Sequence, residues 1–243
     1  MTSIDQVTSH DNGSGTPSRE PRGSYREIRR QAGKPAARGL LHLIATPLAI
    51  AFCIVLIVMS DTDTQVVGAA VFLFASTALF GFSALYHLGN WSPKVLAIMR
   101  KIDHANIFVL IAGTYTPISL ILLEGSSLVT CLSVVWGGAI IGSIMHISWI
   151  DFPRWLYVAL YVAVGWIAIW YLPEIWRNGS PTVVILIIAG GVIYTIGALF
   201  YATKRPNPWP RHFGFHEFFH LCTVLAYACH AVAIAIALAY AGV

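Results

Sequence analysis

The sequence predicts an all-α integral membrane protein folded as a seven-transmembrane helix bundle. Three observations predict it. Of 243 residues, 57% are apolar and only 11% are charged, against roughly 25% charged in a soluble domain. Several apolar runs approach the ~20 residues that cross a bilayer as helix. Lysine and arginine gather in alternate connecting segments, as the positive-inside rule requires of a multi-pass chain.

Residues 1–37 are polar, with Gly13, Gly15, Pro17, Pro21 and many serines and arginines. Such a segment cannot bury a core, and it reads as a disordered, basic cytoplasmic tail. Residues 38–243 read as one membrane domain. No secretory signal peptide is visible, and the first apolar run is too long for a cleaved one, so it is expected to stay as an anchor. The predicted spans are about 39–59, 64–88, 104–123, 128–150, 155–172, 182–202 and 215–240, each long and apolar enough to cross. The connections are short, which favours antiparallel neighbours. Pro47 and Pro117 fall inside spans one and three. They are expected to kink them, at a cost that neighbouring helices can absorb.

Charge sets the orientation. With the N-terminus cytoplasmic, the inner segments carry Arg19, Arg22, Arg26, Arg29, Arg30, Lys34, Arg38, Lys94, Arg100, Lys101, Arg154, Lys204, Arg205 and Arg211. The outer loops carry Arg177 with the acids Asp61, Asp63, Glu124 and Glu174. This places the N-terminus inside and the C-terminus outside. Trp91, Trp149, Trp155 and Trp209 mark the inner boundary, and Trp170 and Trp176 the outer one. The inner positive charge suits anionic membrane lipids, and nothing in it calls for nucleic acid. Cys53, Cys131, Cys222 and Cys229 all fall within apolar runs without paired spacing, and read as packing residues.

The polar residues inside these spans carry the functional signal. Span two ends at His87, span three follows Asp103, and span seven opens with His216-Glu217-Phe218-Phe219-His220. Alternating direction brings these positions to one depth, near the cytoplasmic boundary. His216 and His220, four apart, share a helix face. With His87 they make three imidazoles, the ligand set of a catalytic Zn2+ that keeps one open position. Asp103 would orient or deprotonate a water, or brace a ligand imidazole. Ser83 lies one turn from His87 on the same face and could hold a water or a substrate oxygen.

Each has a structural alternative. For Asp103 it is a helix N-cap. For Ser83 it is a back-bond to a helix carbonyl. For His87 it is an interfacial histidine without a ligand role. His42 sits on the same inner side and could line the same cavity. His104 points about 100° away from Asp103. His146 lies near the inner end of span four, and His230 is roughly 15 Å deeper than His220. His10 and His212 read as solvated. None of His10, His42, His104, His146, His212 and His230 is expected to be a first ligand. The pentad also matches the H-E-x-x-H of zinc proteases, whose glutamate is the general base, yet no Asp or Glu follows Glu217. The alternative reading of that glutamate is a charge that complements the helix dipole.

Ser83-Ala84-Leu85-Tyr86-His87, Asp103-His104-Ala105-Asn106-Ile107-Phe108, Ile111-Ala112-Gly113-Thr114-Tyr115-Thr116-Pro117 and Phe213-Gly214-Phe215-His216-Glu217-Phe218-Phe219-His220 together resemble hemolysin III proteins. These are the bacterial branch related to the progestin and adipoQ receptors and, more distantly, to alkaline ceramidases. The resemblance covers nearly all of 38–240, and Arg38-Gly39-Leu40-Leu41-His42 looks similar too. It implies a seven-helix bundle in the bacterial inner membrane with zinc at its cytoplasmic side. His87, His216 and His220 would be the ligands, with Asp103 and Ser83 beside the metal-bound water.

The expected function is a zinc-dependent hydrolase of a lipid-like amide or ester, its substrate entering from the bilayer. The alternatives are a receptor or regulatory protein with structural zinc, a cytolytic protein, and an intramembrane metalloprotease. A released toxin fits poorly, since no pore-forming amphipathic segment or export signal is visible.

Overall fold

The computed structural model describes residues 39–148, 153–209 and 212–241. The tail expected over 1–37 lies outside them, as do Arg38, Trp149 and Arg211. The described residues form helices α1 (Leu40–Val58), α2 (Asp63–Leu88), α3 (Pro93–Leu122), α4 (Gly125–Ser148), α5 (Arg154–Gly165), α6 (Leu172–Asn178), α7 (Pro181–Thr203) and α8 (Phe215–Ala241). Six are long and apolar enough to cross a membrane, and α5 with α6 is a seventh, bent candidate. This is an all-α, multi-pass membrane protein.

Local chemistry sets the ends of these helices. Thr62 caps α2 by accepting from the Gln65 N–H, while Gln65 Oε1 accepts from the Asp61 N–H, a reciprocal arrangement that satisfies two exposed donors. Ser180 caps α7 in the same way through Val183, with Pro181 in the first turn. Past the end of α2, the Gly89 N–H and the Trp91 indole both donate to the Leu85 carbonyl, closing the last turn. Lys204, at φ 57°, ends α7 in the left-handed conformation common just past a helix.

Two elements differ from the sequence expectation. Span three was expected to begin at 104, but α3 begins at Pro93. Its 30 residues make about 45 Å of helix, so its first turns, with Lys94, Arg100 and Lys101, extend beyond the apolar run. Asp103 therefore lies three turns inside the helix and is not its N-cap. Span five was expected as a single helix over 155–172. It opens into a 3-10 turn over Trp166–Trp170, bends by 49° and continues to Asn178. The bend falls at Tyr171, between Trp170 and Leu172, whereas the opening at Gly165 comes from Tyr115 of α3. Its hydroxyl donates to the Gly165 carbonyl at 2.7 Å and accepts from the Ala168 N–H at 2.6 Å, and a side chain inserted into the ladder in this way breaks a helix.

The bundle is turned inside out relative to a soluble protein. Its outer faces carry Leu43, Ile44, Leu48, Ile54, Ile140, Ile141 and Ile144. Its interior holds Ser76, Ser83, Thr114, Thr116, Ser119 and Thr223. Thr114, Thr116 and Thr223 back-bond to carbonyls four residues earlier, which removes the cost of burying a hydroxyl. Consecutive helices from α1 to α4 pack as neighbours, α7 packs on α8, and α8 closes the bundle against α1 and α3.

Small residues permit the close approaches, as in other membrane bundles. A Cβ on Gly113 would collide with Ala75 on α2, whereas one on Gly137 meets nothing within 4 Å. Gly113→Val is expected to destabilise the protein by about 1–3 kcal/mol, read as a lowered thermal midpoint in detergent. Gly137→Ala should leave that midpoint unchanged or slightly higher.

Candidate metal centre

The end of α2, the interior of α3 and the start of α8 meet at one side of the bundle. The C-terminal end of α4 is tied to the same side by the Lys101 ammonium, which donates to the Ile147 carbonyl. Arg154 at the start of α5 donates to Tyr201 near the end of α7. Lys101 and Arg154 thus share this side.

His87, His216 and His220 converge there. One ring nitrogen from each lies within 4.8 Å of the others. His87 Nε2 and His216 Nε2 are 3.3 Å apart. Two ring nitrogens facing each other are held by a shared proton or a shared cation. Tetrahedral coordination with metal–nitrogen bonds of 2.0–2.1 Å sets ligand nitrogens about 3.3 Å apart, so the pair already has ligand spacing. All three donors are imidazoles, which suit zinc and its neighbouring transition metals. The residues present fit such an ion.

Asp103 Oδ2 lies 3.8 Å from His87 Nε2. Of the two roles open to Asp103 from the sequence, the geometry separates them. A brace would meet the nitrogen turned away from the metal, whereas this carboxyl stands on the side where the nitrogens converge. Ser83, only 1% exposed, is hydrogen-bonded to the Asp103 carboxyl. Ser83, Asp103, His216 and His220 line one cavity with about 100 Å³ open to the centres of water molecules. Its other walls are largely apolar, among them Leu79, Ile107, Ile111 and Phe219.

Glu217 takes no part in that convergence. It is 1% exposed, and its Oε2 accepts from the Gly214 N–H at 2.9 Å. Gly214 precedes α8, and a glutamate three residues into a helix that reaches back in this way is half of a capping box. The H-E-x-x-H match therefore has a local structural use. Glu217→Gln, which keeps an accepting oxygen, should retain wild-type metal content and, under the hydrolase reading, wild-type turnover. A metalloprotease built on Glu217 would lose its activity, so peptide and lipid cleavage by this variant distinguish the two.

The remaining histidines divide by position. His42, 2% exposed, stacks flat on His220 with ring centroids 3.9 Å apart and 2° between planes. It lines the cavity and restricts the rotation of the His220 ring. Its depth on the inner side was the sequence signal for this; the stacking had none. His104 turns away from the centre to His146, with Nδ1 and Nε2 3.0 Å apart, and its own Nε2 lies 3.3 Å from the Tyr201 hydroxyl. His230 and Tyr194 stand at the far end of the cavity, and no sequence pattern marked Tyr194.

The family profile described as "Haemolysin-III related" matches residues 30–231. The chain belongs to the haemolysin III family. Within it, the chain is 33% identical over 172 residues to a protein named Hemolysin-3 from Bacillus cereus, covering 70% of this chain and 78% of that one. It is 29% identical over 178 residues to a Hemolysin-3 homolog from Bacillus subtilis (strain 168), covering 73% and 83%. The matched region of the haemolysin III profile contains every residue of the convergent site.

Proposed function

We propose that this haemolysin III protein is a metal-dependent hydrolase of the bacterial inner membrane that cleaves a lipid-like amide or ester. Its N-terminus would face the cytoplasm, its C-terminus the outside, and its centre would lie near the cytoplasmic leaflet. The supporting observation is a three-imidazole cluster, with His87 and His220 buried and His216 half-buried, that has a carboxyl on its converging side and opens into an apolar cavity. Buried ionisable groups in a membrane bundle are costly and commonly functional.

His87, His216 and His220 would hold the ion, with Zn2+ the proposed species. When bound, it would supply Lewis-acid polarisation of a carbonyl and a more acidic water. Asp103 accepts the proton released from the attacking water and returns it to the leaving group. Ser83, hydrogen-bonded to that carboxyl, holds it in position. The apolar walls admit acyl chains and exclude bulk water, which strengthens every polar contact at the centre.

One observation favours a second reading, a structural clip in a receptor or regulatory protein. α8 packs its backbone against α1, α3 and α7, whereas it meets α2 through side chains: His87 with His216 and His220, and Phe72 and Phe80 with Tyr227. A metal would tie these two helices together without any turnover. The family name suggests lysis as a third reading, and lysis independent of the centre would survive loss of the histidines. Metal analysis of protein purified without chelators, followed by a screen of lipid amides and esters, tests the proposal. Metal with turnover supports it, metal without turnover favours the clip, and absence of metal removes both.

A further inference from the structure

Beyond the histidine centre the cavity ends at two polar side chains that the proposed metal chemistry does not use. Tyr194 on α7 and His230 on α8 both line it, with ring centroids 5.6 Å apart. The Tyr194 hydroxyl and His230 Nδ1 are buried, and neither has a hydrogen-bond partner among the described residues. An unmade hydrogen bond in the interior carries the full desolvation penalty of the group, and here two such atoms belong to neighbouring rings. Nearby polar groups are satisfied. The Trp166 indole donates to Thr195, whose hydroxyl donates to the Gly191 carbonyl.

The chemistry of the pair is specific. His230 Nε2 lies 3.2 Å from the Ile187 carbonyl. A carbonyl only accepts, so Nε2 carries the proton, and Nδ1 of the neutral ring is an acceptor. Gly190 makes this ring position possible, because a Cβ there would collide with the imidazole. The Tyr194 hydroxyl supplies a donor. A ligand hydroxyl matches both groups, accepting from Tyr194 and donating to His230. A carbonyl oxygen would satisfy only the tyrosine, and an alkyl chain neither.

Position narrows the ligand further. His230 lies ten residues beyond His220 along α8, about 15 Å of helix. It also lines a second, smaller cavity that shares Tyr115, Trp166 and Gly191 with the first and continues past Ile118, Ile175 and Ile187. The polar pair therefore sits at the junction of two apolar compartments. A chain anchored at the histidine centre and reaching into the second compartment passes the pair part-way along its length.

We propose that Tyr194 and His230 form a subsite for a hydroxyl carried in the middle of a long acyl chain, so that the preferred ligand is a mid-chain hydroxyacyl amphiphile. This deepens the hydrolase reading, on which it rests for the placement of the acyl carbonyl, but binding alone reads it. The experiment compares stearic acid with 12-hydroxystearic acid for binding to purified wild-type protein, Tyr194→Phe, His230→Phe and His220→Ala. Wild type is expected to favour the hydroxy acid by about tenfold, the effect of one well-made buried hydrogen bond. Tyr194→Phe and His230→Phe should each abolish most of that preference while leaving the affinity for stearic acid unchanged. His220→Ala should keep it, since the subsite is remote from the centre. A wild-type protein without preference overturns the subsite, as does a preference that persists in both Tyr194→Phe and His230→Phe. Failure of the hydrolase reading would appear separately, as absent turnover in the lipid screen with the binding preference intact.

Discussion

His220→Ala is expected to purify with less than about a tenth of the wild-type metal. His220 is 3% exposed and supplies one of three convergent nitrogens. Loss of even a supporting contact behind a ligand costs about 10–100-fold in metal affinity, and loss of a ligand should cost at least that. Because the ion binds the folded protein, a 100-fold weaker site also forfeits up to about 2.7 kcal/mol of stability at a fixed metal concentration. Elemental analysis and a thermal melt with and without chelator read the two effects. His146→Ala is the control. His146 is buried beside His104 at the end of α4 and outside the cluster, so its metal content should equal that of wild type. Equal metal in His220→Ala and wild type would remove the three-histidine centre.

Asp103→Asn should keep the metal and lose turnover by about 10²–10⁴-fold, the usual worth of a general acid–base group. Asparagine has the same shape and can still accept from Ser83, but it cannot take up a proton. Metal content, thermal midpoint and rates on the lipid amide and ester panel should be measured together. Under the clip reading, Asp103→Asn changes neither metal nor midpoint and there is no rate to lose. Under the hydrolase reading, only the rate falls. A variant with wild-type rate would exclude Asp103 as the base and leave Ser83 without its proposed role.

Much of the fold was legible because lipid imposes a simple rule: a helix must be long, apolar and internally hydrogen-bonded to cross. Five of the seven predicted spans match their helices closely. The other two depart for different reasons. Nothing within residues 155–172 announces the break at Gly165, because the group that opens the ladder is Tyr115, which lies 50 positions away. The start of α3 was misplaced because hydropathy falls before Asp103 while the helix itself begins at Pro93, and an extension beyond the apolar run needs no apolar residues to be helical.

The site divides in the same way. His216 and His220 declare a shared face by their spacing alone. Alternating span direction brings His87 and Asp103 to the same side, which is why the residues that now converge could be named beforehand. Which side of His87 the Asp103 carboxyl occupies, how His42 lies on His220, and what Glu217 does were beyond reach. Each depends on a rotamer or a separation of an ångström or two. Tyr194 and His230 had no signal at all, since a lone tyrosine and a lone histidine in apolar helices look like packing until a cavity is seen between them.

Composition and periodicity thus determined that the chain crosses the membrane repeatedly and which ends of its helices carry the histidines, and the sequence motifs carried the family resemblance. Only the packed bundle decided which imidazoles face one another, which carboxyl stands with them, and where the cavity continues past His230. The first set follows from the uniform demands of the bilayer on every residue it touches. The second follows from short-range contacts between side chains far apart in the chain, where displacements smaller than a bond length change the chemistry.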